Sequence, residues 1–234
     1  MNLDQQYESL WHRKLTDPPV TPAAQSIDRV RWVTELWGPE VSGPLLDLGC
    51  GTGLMLAAAQ ARGWICAGVD ISERVAAWLR THGFSVWATS LDEDDLSTAP
   101  ASLGAQAGIV TLCDVIEHVV DPLHVLQSAW QVTRTGGRLY VGTPNCAYWR
   151  RVMSLAAGRM FRTSGDPEGR DGGHVAYYGP VDLADLIREA GWSEVRIHYR
   201  NCDDDTAPPG WLALQALSPS ACRSTYMIAE AVRP

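Results

Sequence analysis

Residues 45–53, Leu-Leu-Asp-Leu-Gly-Cys-Gly-Thr-Gly, constrain this chain more than any other stretch, because an apolar run breaks there into glycines at every second position, Gly49, Gly51 and Gly53. Such a run reads as a buried strand entering a tight turn. Glycine lacks the Cβ that keeps a bulky ligand off the backbone, and it takes φ values that other residues resist. The alanine- and leucine-rich stretch from Leu54 to Arg62 is stopped by Gly63, as a helix commonly is. The spacing predicts strand, glycine turn and helix. That unit sets backbone N–H groups and a helix N-terminus beside a ligand at the carboxyl edge of a parallel sheet.

Two cofactor classes other than an amino-acid-bearing one use related turns, and the residues count against both. A dinucleotide site wants Gly-x-Gly-x-x-Gly, but Leu54 stands in the third glycine's place and Gly53 comes one position early. A phosphate-binding loop closes on Gly-Lys-Ser/Thr, which does not follow here. Asp47, just before the turn, repels a pyrophosphate and suits an ammonium group. A second strand over 64–70 ends in Asp70, near the roughly 20-residue offset at which a carboxylate takes ribose hydroxyls.

Asp-x-Gly-x-Gly-x-Gly followed by that acid resembles the class I S-adenosylmethionine-dependent methyltransferases, over residues 40–200. A second signature, Asp114-x-x-Glu117-His118-Val119-x-Asp121-Pro122, follows a fourth strand expected over 108–114 and resembles the branch that includes the ubiquinone-pathway O-methyltransferases. The resemblance implies an α/β fold, a doubly wound Rossmann-like sheet of about seven strands, mostly parallel with an antiparallel last strand. It implies S-adenosyl-L-methionine as cofactor. Its methionine end would lie against Asp47, Gly49, Cys50, Gly51 and Gly53, its ribose against Asp70, and its adenine against Ile71, Leu91 and Asp92, with Cys113 closing the fourth strand beside it. The acidic run from Asp92 to Asp95 also reads simply as a solvated loop.

His118 is the candidate general base, since imidazole suits removal of a hydroxyl proton near neutral pH. A structural place at a helix start is the other reading of the same residue. In ubiquinone-type relatives this signature is associated with a divalent metal, which maps onto Asp114, Glu117 and His118. The family form begins with Glu, however, and Asp114 is one methylene shorter, so no metal is assigned. His174, in a glycine-rich loop before Tyr177 and Tyr178, faces the acceptor in relatives and is the second catalytic candidate. His12, His82, His124 and His198 take no role.

With 234 residues, 46% of them hydrophobic, the chain can bury one full core. A net charge of -8 and 19 scattered basic residues argue against nucleic acid as a partner. The first residues carry no basic and apolar leader pattern, and no apolar run approaches the roughly 20 residues that span a bilayer. A cytoplasmic protein with no membrane partner is expected, with no oligomeric state specified. Six cysteines without a Cys-x-x-Cys pair predict neither a zinc site of that type nor disulfides.

The chain reads as a single methyltransferase domain over 1–234. Residues 1–38 form an N-terminal helical cap or a helix outside the sheet, 40–145 the cofactor-binding core, 146–180 an irregular acceptor-site insertion, and 181–234 a C-terminal helix and strands. Further helices are expected over 73–82, 123–133 and 181–190, and strands over 84–88, 138–143, 194–200 and 225–232, the last two antiparallel. The expected activity is methyl transfer to a small-molecule acceptor, at oxygen first. Nitrogen, sulfur or carbon acceptors, or a non-catalytic cofactor-binding protein, are the alternatives.

Overall fold

The computed structural model describes residues 24–93, 96, 103–159, 174–201 and 220–234. Residues 1–23 of the cap expected over 1–38, and the loop glycines 165, 169, 172 and 173, lie outside the described residues. In chain order the elements are α1 (Ala24–Leu36), β1 (Leu45–Leu48), α2 (Leu54–Gln60), β2 (Cys66–Asp70), α3 (Glu73–Thr81), β3 (Ser85–Ala88), β4 (Ala107–Cys113), α4 (Pro122–Val132), β5 (Thr133–Pro144), α5 (Trp149–Ala156), α6 (Pro180–Glu189), β6 (Ser193–Arg200), α7 (Ser220–Arg223) and β7 (Tyr226–Val232).

The strands form one sheet in the order β3-β2-β1-β4-β5-β7-β6. Neighbours from β3 to β5 are parallel, and β7 runs antiparallel to both β5 and β6. The order reverses at β1, whose neighbours are β2 and β4, so the ligand crevice of a doubly wound sheet falls at the carboxyl ends of these three strands.

Alternation along the strands divides the core in two. Leu46 and Leu48 of β1 join Val110 and Leu112 of β4 on one face, under Leu126 and Ala129 of α4 and Ile187 of α6. Leu45 and Ile109 turn to the other face, against Leu56 of α2, Val75 and Leu79 of α3, and Trp32 and Val33 of α1. Because helices cover both faces, β1 and most of β4 are buried at every position, and their sequences read as continuous apolar runs.

Local chemistry sets the helix ends. The Ser72 hydroxyl accepts from the Val75 amide at 3.3 Å at the start of α3, and Asp121 Oδ1 accepts from the His124 amide at 3.0 Å where Pro122 opens α4. Two elements differ from the sequence expectation. β5 begins five residues earlier than expected, at Thr133, because Thr133 pairs with Ala107 across an irregularity and the strand continues through Gly136 at φ 72°. α5 lies inside the stretch read as irregular. It buries none of its residues, although Trp149, Val152, Met153 and Ala156 recur at helical spacing. The five described cysteines are free, as expected. Among the described residues no helix is long and apolar enough to cross a membrane.

Candidate active site

The turn after β1 is built from three left-handed glycines, with φ of 73° at Gly49, 48° at Gly51 and 74° at Gly53. A side chain resists this region by about 1–2 kcal/mol per residue, which explains the spacing. The amides of Gly49 and Cys50 donate to the Val69 carbonyl at 2.7 and 2.9 Å, fastening the turn to β2. Gly51 does something different. Its amide donates to Oδ2 of Asp70 at 2.9 Å, while Oδ1 of the same carboxylate accepts from the Ser72 amide at 3.0 Å. Asp70 is buried and sits at the carboxyl end of β2.

Asp47 lies in mid-β1, in register with Gly68 and Thr111. Its Oδ1 accepts from the Thr111 hydroxyl at 2.6 Å. Burial pushes its carboxyl up to about 7; the Thr111 bond pulls down against this and nearby Asp70 adds to the rise. Cys50 is turned inward, its thiol within 2.7 Å of where a Cβ on Gly68 would stand, so its side chain packs in the core and does not reach the crevice. Ile71 is half-buried just past β2. Leu91 is buried in the core that includes Leu96 and Leu103. Asp92 is no merely solvated acid, since its Oδ1 accepts from the amides of Val120 at 2.8 Å and Asp121 at 2.9 Å. Cys113 ends β4, close enough to Asp47 for that carboxylate to help burial raise its thiol well above the usual range.

Beyond Cys113 the signature segment folds back on the glycine turn. A Cβ placed on Gly49 would stand 2.3 Å from Val115 Cγ2. Asp114 takes φ 57°, uncommon for a non-glycine residue, and both its carboxylate oxygens accept from Arg29 Nη1 at 2.8 Å. The Arg29 guanidinium also stacks over the Tyr226 ring at 4.4 Å. Asp114 is thereby committed to α1.

Glu117 is buried. Its Oε2 accepts from the Thr143 hydroxyl at 2.9 Å, and its Oε1 has no hydrogen-bond partner among the described residues. Burial, with nearby Asp114, pushes its carboxyl up to about 8, against the lowering effect of its hydrogen bonds and of Arg29. His174 Nε2 lies 4.0 Å from Oε1, and the His174 and His118 rings meet edge to face with centroids 4.6 Å apart. Backbone holds this arrangement, because the Glu117 carbonyl accepts from the amides of Val175 at 2.8 Å and Ala176 at 3.2 Å. The ligand atoms of Glu117, His118 and His174 all lie within 4.8 Å of one another. The metal set that the resemblance mapped onto Asp114, Glu117 and His118 is therefore not the one gathered here, for Arg29 holds the Asp114 carboxylate and His174 stands beside the other two.

A family model described as a methyltransferase domain matches residues 24–196. The chain belongs to this methyltransferase family. The methyltransferase is similar to the ubiquinone biosynthesis O-methyltransferase of Thiobacillus denitrificans, 28% identical over 167 residues that cover 70% of this chain and 69% of that protein. It is also similar to the enzyme of that name from Leptothrix cholodnii, 28% identical over 119 residues, 50% of this chain and 51% of that one. In this second alignment the chain spans about half the length of the relative. Among solved structures it resembles a methyltransferase from Archaeoglobus fulgidus, with a TM-score of 0.63 at 16% identity, covering 99% of this chain and 100% of that one. A magnesium protoporphyrin IX methyltransferase from Synechocystis with bound SAH gives 0.62 at 17% identity, covering 99% and 98%. These likenesses are of fold, and the fold is the one expected from the glycine turn.

Three polar contributors to the methyltransferase site escaped the sequence reading. Thr111 had a findable signal, since it is the lone hydroxyl in an otherwise apolar central strand; Thr143 stands among the other hydroxyls of β5 and had none. Arg29 had none, because its partner lies 85 residues away.

Proposed function

We propose that this protein is an S-adenosylmethionine-dependent methyltransferase that transfers the methyl group to an oxygen of a small-molecule acceptor. The observation that carries the reading is the contact of Val115 with Gly49: it supports bringing the segment that carries Glu117 and His118 to a glycine turn whose nearby carboxylates suit a sulfonium amino acid bearing a ribose. The relatives named ubiquinone biosynthesis O-methyltransferases support oxygen as the acceptor atom.

In this reading the ammonium of the cofactor meets Asp47, whose carboxylate is otherwise costly to keep charged in its buried place. Asp70, at the carboxyl end of β2, accepts the ribose hydroxyls. Ile71, Leu91 and the Asp92 turn border the adenine. Transfer is an in-line displacement, in which the acceptor oxygen forms its bond to the methyl carbon as the carbon–sulfur bond breaks and the pair of electrons returns to sulfur. Holding donor and acceptor aligned supplies about 7–11 kcal/mol of the barrier reduction. The acceptor hydroxyl must lose its proton, and His118 takes it, with the His174 ring packed edge to face against it and flanking the acceptor.

Release of S-adenosylhomocysteine is the decisive assay, run with hydroxylated aromatic acceptors and with amines of matching skeleton. Turnover with the hydroxylated set alone is expected. His118→Ala should bind S-adenosylmethionine as the wild type does and lose about 10²- to 10⁴-fold in turnover. Turnover with the amines only, or a variant within threefold of wild type, refutes the acceptor atom or the base respectively.

A further inference from the structure

His118 stands in the loop that joins β4 to α4, and separate contacts hold the two ends of that loop. On the upstream side Val115 rests on Gly49, the Val115 carbonyl accepts from the His118 amide at 2.8 Å, and the Glu117 carbonyl accepts from Val175 and Ala176. Downstream, the amides of Val120 and Asp121 both donate to Oδ1 of Asp92, at 2.8 and 2.9 Å. Burial anchors Val119 but not its neighbour, since the Val120 side chain is 72% exposed. Nor can α4 accept from these amides. They lie ahead of Pro122, where the first turn of a helix has only N–H groups to offer. The acceptor comes instead from a residue just past β3, 28 positions before Val120.

We propose that Asp92 is a positioning residue for methyl transfer, whose carboxylate sets the loop that aims His118 at the acceptor instead of binding the adenine. Given His118 as the base, on which this rests, Asp92 touches none of the reacting atoms and acts through the imidazole. A carboxylate suits the task. One oxygen meets both amides, and an ionised acceptor makes hydrogen bonds roughly twice as strong as a neutral one. Negative charge is also favoured beside the N-terminus of α4, where Asp121 already accepts from the His124 amide. A general base must stand within hydrogen-bond reach of the proton it takes. Displacing the loop by about 1 Å can therefore cost up to roughly 10²-fold in rate while leaving the cofactor's own contacts in place.

The test compares the full-length protein with Asp92→Ala, Asp92→Asn, His118→Ala and the double variant of Asp92→Ala with His118→Ala. Turnover is read with the hydroxylated aromatic acceptors, S-adenosylmethionine affinity by calorimetry, and the His118 ring by its imidazole NMR signals, assigned from their loss in His118→Ala. Asp92→Ala is expected to lower kcat at least tenfold, to leave cofactor affinity within threefold and to shift the His118 signals. Asp92→Asn keeps an oxygen acceptor and should recover at least threefold of the lost turnover. In the His118→Ala chain, removing Asp92 should change the residual turnover by less than threefold. Thermal melts establish that each variant is folded, with Asp92→Leu taking the place of the alanine variant should that one fail to fold. Cofactor affinity that falls in step with turnover in Asp92→Ala overturns the proposal, because the carboxylate then serves the cofactor. An asparagine variant as slow as the alanine one, or losses that multiply in the double variant, overturns the link to His118. Unmoved His118 signals in Asp92→Ala overturn it even where His118→Ala has confirmed the base, so the two readings fail separately.

Discussion

Val115 and Gly49 share one volume: a methyl of the first stands 2.3 Å from the place a Cβ on the second would take. Gly49→Ala therefore meets two penalties, the left-handed φ of 73° and the clash. Together they should destabilise the protein by about 2–4 kcal/mol. Urea unfolding of a double-mutant cycle separates them, since Val115→Ala in the same chain relieves the clash and leaves the φ cost. An unchanged urea midpoint for Gly49→Ala would mean that the loop after β4 does not rest on the turn.

Removing Asp70 should cost both binding and stability. In Asp70→Ala the ribose loses its carboxylate, an effect of about 1.5–3 kcal/mol on S-adenosylmethionine affinity by calorimetry. The Gly51 and Ser72 amides lose their acceptor in the same change. The melting temperature of the cofactor-free protein should therefore fall as well. Lost affinity with an unchanged melt would show that the carboxylate serves only the ligand.

Asp47 gives the cofactor-free protein a pH signature of definite sign. Its folded carboxyl stands at about 7 against an ordinary 3.8, so the folded state holds a proton that the unfolded state releases. The stabilisation this brings is complete below pH 3.8 and is lost as pH rises through 7. Asp47→Asn should flatten the wild-type decline in unfolding free energy over that window. Cofactor binding has the opposite slope. An ammonium group favours the carboxylate, so affinity for S-adenosylmethionine should rise as pH approaches 7 from below, by up to about tenfold per unit, and lose that rise in Asp47→Asn.

Arg29 ties α1 to the end of β4 through Asp114 and stacks on Tyr226. Arg29→Met should destabilise the fold by about 1–3 kcal/mol, because a partly buried carboxylate loses its counter-charge. Adding Asp114→Asn should recover part of the loss, and denaturant midpoints of the two single variants and the double variant measure the coupling.

What the sequence disclosed follows from the range of the interactions involved. The strand, glycine turn and helix over 45–60, the acid at the end of β2 and the Ser72 cap are all set by residues within a few positions of one another or by a fixed crossover length, and each was legible. The antiparallel pairing of β6 and β7 was implied by the family resemblance, not by the long stretch that joins them. Asp92 was only half read: its place after β3 was evident, but its hold on the Val120 and Asp121 amides depends on chain 28 residues away. Asp114 invited a ligand assignment by its position in the signature and lost it to a cation on α1 that nothing local announces. α5 was legible in principle, since Trp149, Val152, Met153 and Ala156 recur at helical spacing, but it opens a segment whose later glycines read as irregular.

The clip between the Glu117 carbonyl and the amides of Val175 and Ala176 has a consequence for how this enzyme can diverge. His174 takes its position from the chain that follows it, through a main-chain bond indifferent to side-chain identity. Insertions and deletions between Arg159 and His174 therefore leave the imidazole in register.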